Sequence, residues 1–569
     1  MGEYCSYLSE LKKDTHMNRV KEYFKDYDFL ENFRLLKTNI KGDINGGITT
    51  AIIALPLALA FGVSSGLGAK AGLIGAIVVG LLASIFGGTP AQISGPTAPM
   101  TIIVATVIAQ FTNQPIIVFA IIALAGIFQI TFGLTKVGKY IQYMPYPVLS
   151  GFMSGIGIII VLSQINPILG LEFTNNIGSI IQSIPHSLMN LNLTSTIIGC
   201  TTLILIYSLA RMRISFPGAI IAIILATSAS KLLHLDVVTI GDIPSGLPSF
   251  QRIPLNWNIL KIIIAPAMTL AIMGLLDSLL TSLVADRLSE HKHNSNRELI
   301  GQGIGNLFSG LLGGLPGAGA TIRTEVNIHN GGKTPLSGIT YATVIFISML
   351  FLGQWLRDIP MACLAAILFK AGLDIIDFRS LKRIFRIPVF DEVVLLVVLA
   401  LTISVNIMVA VGIGLLLACI LFVKRMGDLL GINVINLNEI RKFWIDDESW
   451  RDLLTKEEKD RVLIFQLNGP LFFGASSNFL RAVERHGDFA GLILRMHRVP
   501  EIDTTGVYAL EELAELFKKE KKFLFITGLG EQPKEFLRKL RVMDLIGEKN
   551  CFRRFSEAAC HAAKILRAK

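Results

Sequence analysis

The feature that most constrains this chain is a long stretch without any charged residue. Between Ala71 and Thr135 the sequence contains no Asp, Glu, Lys or Arg. One transmembrane helix needs about 20 apolar residues, so this stretch is long enough for several of them. Over the whole chain, 52% of the residues are hydrophobic and 17% are charged, whereas soluble proteins carry about a quarter charged residues. The sequence therefore predicts a polytopic α-helical membrane protein.

Apolar runs separated by polar turns predict fourteen spans, of which two are half-length helices. The predicted spans lie at roughly 45–63, 70–87, 96–111, 115–134, 145–164, 195–210, 217–234, 262–286, 298–313, 320–330, 336–355, 359–376, 390–405 and 407–423. Lysine and arginine are concentrated in alternate loops, and basic loops usually remain in the cytoplasm. We therefore expect both termini to be cytoplasmic.

Two of the predicted spans are broken by proline and glycine. They are Thr89–Thr101 (TPAQISGPTAPMT) and Leu315–Asn327 (LPGAGATIRTEVN), and neither can form a continuous helix because these residues interrupt the hydrogen-bond ladder. Each break is the third of seven segments, which implies an inverted repeat, and such a matched pair indicates a transporter binding site. The alternative is that the breaks only kink packed helices.

A half-length helix that begins after each break would direct its N-terminus at the same place. Helix N-termini carry unpaired N–H groups and a partial positive charge, so two of them form an anion site. The predicted substrate-binding residues are Ser94, Gly95, Pro96, Thr97, Ala98, Ala320, Thr321, Ile322 and Arg323. A charged side chain among spanning segments is costly and usually functional. Arg323 would contact the anion or raise the electrostatic potential beside it.

Asp277 is a carboxylate in the middle of a predicted span. Thr281 follows four residues later and therefore lies on the same helix face. A carboxylate combined with hydroxyl and backbone oxygens is the ligand set that a hard cation needs. The alternative is a structural ion pair between Asp277 and Arg323.

The composition changes abruptly after Arg425. Short apolar strands then alternate with helical segments, which predicts a small cytoplasmic α/β domain. The predicted domains are an N-terminal cytoplasmic segment (1–43), a transmembrane domain (44–425), a linker (426–460) and the α/β domain (461–569). The net charge of +10 does not indicate nucleic acid binding, because the basic residues lie in loops between apolar runs. No nucleophile–base pair or phosphate-binding loop stands out, so we do not expect an enzyme.

Several segments resemble the SulP family of anion transporters, and one resembles the STAS domain that accompanies them. The SulP-like segments are Gly42–Val63, Phe86–Thr101, Met144–Ile160, Leu275–Asp286, His293–Gly314 and Gly317–Ile328. The STAS-like segment is Val499–Leu513 (VPEIDTTGVYALEEL). The motifs HNSNRELIGQG and DSLLTS are most similar to the sodium–bicarbonate branch of the family.

The resemblance implies a seven-plus-seven inverted repeat. A core domain (spans 1–4 and 8–11) would move against a gate domain (spans 5–7 and 12–14) in elevator-type alternating access. The anion would lie between the two half-helix N-termini, and a sodium site would comprise Asp277, Thr281, Gly319 and Thr321. The resemblance also implies a homodimer in a bacterial inner membrane. In the STAS-like segment, Thr505 matches a phosphorylatable position of bacterial regulatory relatives, or else caps the following helix.

These observations favour a secondary transporter of a small inorganic anion. Sodium-coupled bicarbonate transport is the first hypothesis, and sulfate is the second because Arg323 suits a divalent anion. Further alternatives are a proton-coupled sulfate permease, an anion exchanger, or a membrane-embedded anion sensor that signals through the STAS domain. Apart from sodium as the coupling ion, no cofactor is expected.

Overall fold

The structure is a computed structural model of the chain. It describes residues 30–111, 114–171, 189–211, 218–241, 248–252, 256–289, 292–386, 388–405, 407–428, 431–434, 461–472 and 489–568, with scattered positions in 178–187, 455–458 and at 483. The chain forms two compact units, which divide between Leu415 and Leu416. The predicted N-terminal segment before residue 30 and most of the predicted linker lie outside the described residues.

The first unit is helical and contains two very short strands. Its first half comprises α1 (Leu30–Leu35), α2 (Ile40–Ser64), α3 (Ala69–Phe86), β1 (Ser94–Pro96), α4 (Ala98–Gln110), α5 (Pro115–Leu134), α6 (Tyr146–Ser163), α7 (Ile165–Ile168), α8 (Leu193–Arg211) and α9 (Gly218–Leu232). Its second half comprises α10 (Trp257–Leu288), α11 (Ser295–Leu311), β2 (Gly317–Gly319), α12 (Thr321–His329), α13 (Pro335–Phe351), α14 (Gly353–Leu356), α15 (Met361–Ile375), α16 (Phe378–Lys382) and α17 (Val389–Ser404). Helix α18 (Ile407–Asp428) contains the division between the two units.

A described helix lies at each of the fourteen predicted spans. Among the described residues, five stretches are long and apolar enough to cross a membrane, namely α2, α3, α5, α6 together with α7, and α10. The two predicted half-length helices are α4 and α12. Helix α4 begins at Ala98 rather than at the predicted residue 96, because Ser94–Pro96 is extended and pairs with β2. The broken segments therefore form strand-to-helix junctions rather than kinked helices.

The end of the predicted N-terminal segment is integrated into the helical unit. Helix α2 already begins at Ile40, and the Asp43 side chain is fully buried. Its carboxylate accepts hydrogen bonds from the backbone N–H groups of Lys333 (2.7 Å) and Thr334 (2.9 Å). The carboxylate thus satisfies unpaired N–H groups just before α13.

Helix α1 contacts the end of α3 through Asn32. The buried Asn32 amide donates to the carbonyls of Ser84 (3.3 Å), Ile85 (2.9 Å) and Gly87 (2.9 Å). The C-terminal carbonyls of a helix have no partner within the helix, so a donor from elsewhere stabilises them. Arg297 of α11 completes the contact through hydrogen bonds to Asn32 and to the carbonyl of Gly87 (3.0 Å).

The second unit contains a five-stranded sheet in the order β3-β4-β5-β6-β7. The strands are β3 (Gly431–Val434), β4 (Val462–Asn468), β5 (Gly491–Arg498), β6 (Phe523–Thr527) and β7 (Cys551–Phe552). Strand β3 is antiparallel to β4, and the remaining pairs are parallel. The helices are α19 (Thr504–Lys519), α20 (Glu531–Lys539), α21 (Val542–Ile546) and α22 (Phe555–Ala568).

Alternate residues of β4 face opposite sides of this sheet, as the period of a strand requires. Phe465 and Leu467 pack in the core under α19, whereas Val462 and Ile464 pack against α22. Strand β3 lies inside the predicted linker, so the α/β fold begins about thirty residues before the predicted start at 461. A segment of four residues is too short to show the alternating pattern that predicts a strand.

Thr505 lies in the first turn of α19 and is exposed to solvent. The helix is capped by Asp503, whose carboxylate accepts a hydrogen bond from the Gly506 N–H at 2.7 Å. The predicted capping role therefore belongs to Asp503 and not to Thr505.

A carboxylate at the end of α15 organises the connection to α17. Asp377 accepts hydrogen bonds from the hydroxyls of Tyr146 (2.7 Å) and Ser150 (2.7 Å) and from the Ser380 N–H (3.0 Å). Burial raises the pKa of Asp377, but the hydrogen bonds from Ser380, Ser150 and Tyr146 outweigh it and lower the pKa to about 2.

We expect Asp377→Asn to lower the melting temperature at neutral pH. Because the folded-state pKa is depressed, this carboxylate contributes stability above its ordinary pKa near 4, and the contribution disappears as pH falls through about 2. The difference between wild type and variant should therefore be constant above pH 5 and shrink below pH 4. Asp374→Asn, which removes an exposed ion pair with Lys370, is the control. A difference that does not narrow in acid would contradict the assignment.

Candidate functional site

The two broken segments meet in the buried interior of the first unit. Strands β1 and β2 pair antiparallel, with Ser94 opposite Gly319 and Pro96 opposite Gly317. A Cβ atom on Gly317 would lie 2.6 Å from the carbonyl carbon of Gly95, so the close approach requires glycine. The sequence predicted both breaks, and the structure brings them into direct contact.

Each strand leads directly into the N-terminus of a half-length helix. The N-cap residues are Thr97 for α4 and Ala320 for α12, and neither side chain accepts a hydrogen bond from the first helical turn. The Thr97 hydroxyl is buried, makes no direct hydrogen bond, and lies near the Asp277 carboxylate. The first turns therefore retain donors for a ligand, and their dipoles favour an anion.

Among the predicted anion-site residues, the side chain of Ile322 does not join the others. It is 51% exposed, so only its backbone belongs to the first turn of α12. Ser94, Gly95, Pro96, Thr97 and Ala98 are all buried at the junction. The Ser94 hydroxyl accepts a hydrogen bond of 2.5 Å from the Gln302 amide.

Arg323 joins the two broken segments. Its side chain is 3% exposed, and its Nη2 donates to the Pro96 carbonyl at 2.5 Å. Its Nη1 donates to the Tyr341 hydroxyl at 3.4 Å. The guanidinium therefore has protein acceptors on both terminal nitrogens and supplies positive charge beside the helix N-termini.

Two hydroxyl oxygens and a backbone carbonyl oxygen lie close together beside the start of α12. The Thr281 hydroxyl donates to the Gly319 carbonyl at 3.0 Å and lies 2.9 Å from the Thr321 hydroxyl. One turn earlier on α10, the Asp277 side chain is 8% exposed, and its Oδ2 has no hydrogen-bond partner. The structure thus brings together three of the four residues expected at the sodium site and places Asp277 on the adjoining turn.

The alternative interpretation of Asp277 is not supported by the structure. Within the described residues, no ion pair of 4.0 Å or less joins Asp277 to Arg323, because the guanidinium turns towards Pro96 and Tyr341. Arg323 still acts electrostatically on Asp277 over a longer distance, and Thr97 lies beside the same carboxylate.

A buried network that sequence reasoning did not identify supports the first broken segment. The Glu298 carboxylate is 1% exposed and accepts hydrogen bonds from the backbone N–H groups of Gly88 and Thr89, both at 2.9 Å. It also accepts from the amides of Gln92 (2.7 Å) and Gln302 (2.8 Å). Glu298 and Gln302 lie one turn apart on α11, and this spacing is the sequence signal that could have predicted a polar network on one face of the helix. This network fixes the loop that leads to Ser94.

Comparison with known proteins identifies the family. The sulfate permease family matches residues 40–398, and the STAS domain matches residues 454–558. The chain belongs to the sulfate permease family. Both resemblances noted in the sequence are thereby confirmed, and so is the fold class of a helical transport domain with a STAS domain. A member of this family is a membrane transporter of inorganic anions rather than an enzyme.

Individual relatives within the family cover most of the chain. It is 41% identical over 508 residues to the bicarbonate transporter BicA of Synechocystis sp., with 86% of this chain and 88% of that protein covered. It is 31% identical over 505 residues to the putative sulfate transporter YvdB of Bacillus subtilis, with 86% and 91% covered. The solved structure of murine Slc26a9, an anion transporter in the inward-facing state, matches with a TM-score of 0.81 at 21% identity over 93% of this chain and 92% of that one. This last likeness concerns the fold.

We expect Arg323→Ala to weaken anion uptake in a protein that still folds. The change removes a positive charge beside the two helix N-termini and leaves the Pro96 carbonyl without its donor, a charge-assisted hydrogen bond worth about 1.5–3 kcal/mol. Apparent anion affinity should fall by about tenfold or more. Tyr341→Phe, which loses only the 3.4 Å hydrogen bond, should have a smaller effect. Unchanged affinity of Arg323→Ala for every transported anion would refute this role.

Proposed function

We propose that this protein transports bicarbonate together with sodium by elevator-type alternating access. The observation that carries the proposal is the oxygen cluster of Thr281, Gly319 and Thr321, beside Asp277 and directly against two converging helix N-termini. One small region thus offers ligands for a cation and donors for an anion. The name of the BicA relative agrees with this substrate.

The two helix N-termini by themselves suit a monovalent substrate. Each helix N-terminus is equivalent to roughly half of a positive elementary charge, so two of them balance about one negative charge. Arg323 adds a field, but its terminal nitrogens donate to Pro96 and Tyr341. The argument that this arginine suits a divalent anion therefore rests on its charge, which the neutral acceptors Pro96 and Tyr341 do not cancel. Sulfate remains the second candidate, which the name of the YvdB relative also favours.

The cation ligands favour sodium over a divalent ion. Among the described residues, no group of three or more His, Cys, Asp or Glu side chains could hold a metal ion, and a single carboxylate, Asp277, lies beside the oxygen cluster. One carboxylate balances one positive charge, while hydroxyl and carbonyl oxygens are suitable ligands for a hard cation. A buried carboxylate oxygen without a partner is costly, and a bound cation would relieve that cost.

Residues shared between the two ion sites explain coupling in this proposal. Gly319 supplies its carbonyl to the oxygen cluster, and Thr321 supplies a hydroxyl there while its backbone begins α12. Binding of sodium would hold this junction in place and add attraction for the anion. By linkage, the anion would strengthen sodium binding by the same factor.

The helices that carry the ion sites pack together, which supports movement as one body. Helix α11 packs on α3 and α5, and α13 packs on α2 and α3, whereas α6 packs on α15 and α17. In our proposal the first group is the mobile core and the second is the gate. The protein would act as a homodimer in a bacterial inner membrane, with both termini in the cytoplasm.

Uptake into proteoliposomes tests the function. Labelled bicarbonate or sulfate is supplied with an inward sodium gradient, an equal potassium gradient, or a proton gradient. We expect bicarbonate uptake that requires sodium. Sulfate uptake driven by protons would instead support a sulfate permease, and anion exchange without a cation gradient would support an exchanger. Anion binding without uptake under every condition would favour the sensor hypothesis.

A further inference from the structure

The connection between α15 and α17 exposes four basic side chains within eight residues. We call residues 377–386 the basic connector; it contains α16 and one short 3₁₀ turn, Ile384–Arg386. Its exposed basic residues are Arg379, Lys382, Arg383 and Arg386. Its carboxylate, Asp377, is engaged by Tyr146, Ser150 and Ser380. The carboxylate of Asp377 is therefore occupied by these donors and does not pair with the four exposed basic side chains.

Large apolar side chains are exposed among these basic residues. Phe385 is 89% exposed and Phe378 is 46% exposed, while Val389 at the start of α17 is 70% exposed. Ile384, next to Phe385, is only 8% exposed and anchors the turn to the protein. The connector is thus held firmly, while its aromatic rings and cations point outwards.

The connector lies at the end of two apolar helices that the sequence predicts to span the membrane. Helix α15 ends at Ile375 and α17 begins at Val389, so two such spans would place the basic connector at the depth of the lipid headgroups. Aromatic and basic side chains are typical of that depth. The acidic residues that follow, Asp391 and Glu392, lie in the first turn of α17, where the helix dipole favours them.

We propose that the basic connector binds anionic phospholipids of the membrane leaflet on its side. The four basic side chains contact lipid phosphates, and Phe378 and Phe385 enter the boundary between headgroups and acyl chains. Clusters of lysine and arginine beside a transmembrane helix attract anionic lipid in this manner. The contact anchors the helices assigned to the gate and does not depend on which anion is transported.

The test compares dioleoyl phosphatidylglycerol with dioleoyl phosphatidylcholine. The full-length protein is reconstituted in nanodiscs of each lipid, and melting temperature and retained lipid by native mass spectrometry are measured. The key variant is R379Q/K382Q/R383Q/R386Q, and Phe385→Ser tests the apolar part. The matched control, K518Q/K519Q/R553Q/R554Q, removes four exposed basic residues of the α/β unit. A charge-preserving variant, R379K/R383K/R386K, shows whether substitution at these positions causes misfolding when the positive charge is kept.

We expect phosphatidylglycerol to stabilise the wild type, the matched control and the charge-preserving variant. The quadruple connector variant should lose about tenfold or more in apparent affinity for phosphatidylglycerol, and Phe385→Ser should lose less. Equal affinity of the connector variant and the control would overturn the proposal. Stabilisation by inorganic phosphate equal to that by phosphatidylglycerol would also overturn it, because it would indicate a site for a soluble anion.

Discussion

Replacing Asp277 with Asn is expected to abolish the sodium dependence of anion uptake. A carboxamide still offers one oxygen to a cation but no longer neutralises its charge. In the proposed site, Asp277 is the single carboxylate, and its buried Oδ2 makes no direct hydrogen bond, with the Thr97 hydroxyl nearby. Thr281→Ala removes only a hydroxyl dipole, so it should raise the sodium concentration needed for half-maximal uptake without abolishing the dependence.

Uptake of bicarbonate against sodium concentration checks this prediction, with melting temperature recorded for each variant. Thr269→Ala is the matched control, because Thr269 lies on the same helix, is half-buried, and donates to the Ala265 carbonyl. Since Asp277 and Arg323 do not form an ion pair, adding Arg323→Gln to Asp277→Asn should not restore stability. Sodium dependence that survives in Asp277→Asn rejects the ligand role.

Gly317→Ala is expected to have the second largest effect, because it separates the two broken segments. The new Cβ would lie 2.6 Å from the carbonyl carbon and 2.7 Å from the carbonyl oxygen of Gly95. Both atoms are backbone, so no side chain can turn aside to make room. Overpacking of this kind costs about 1–3 kcal/mol. We expect uptake to fall by about tenfold or more as the helix N-termini move apart.

Gly412→Ala in α18 provides the control for this substitution. A Cβ atom at Gly412 meets nothing within 4 Å, so the change should be neutral or slightly stabilising, as alanine favours helix more than glycine does. Both variants are compared by melting temperature and by anion binding to the purified protein. Normal binding and uptake by Gly317→Ala would show that the close pairing of β1 and β2 is not required.

Local sequence signals account for much of the fold. Pro96, Gly317 and Gly319 interrupt helices by their covalent structure, so the breaks at β1 and β2 were predictable without any contact information. The positions of the spanning helices were also predictable, because long apolar runs are a local property of the sequence. The early strand β3 could not be predicted, because four residues acquire strand structure only by pairing with β4.

Some features of the candidate site were likewise predictable from local sequence, whereas others depend on contacts between distant residues. Spacing along one helix placed Asp277 one turn from Thr281, and the family resemblance grouped them with Gly319 and Thr321. The direction of the Arg323 guanidinium was not predictable, because its acceptors are Pro96 and Tyr341, which lie 227 and 18 residues away. Three of the four hydrogen bonds of Glu298 likewise come from residues 88–92, which lie 206 to 210 residues away in the chain.

The sequence by itself determined that this chain is a helical membrane transporter with a STAS domain and two broken spans. The length of an apolar run and the presence of proline or glycine act locally, so their effects can be predicted from the sequence. Only the tertiary structure decided that Ser94 faces Gly319, that Arg323 bonds to Pro96 instead of Asp277, and that Phe385 is exposed. These outcomes depend on which distant segments meet, because a buried polar group takes whichever partner the fold places within reach.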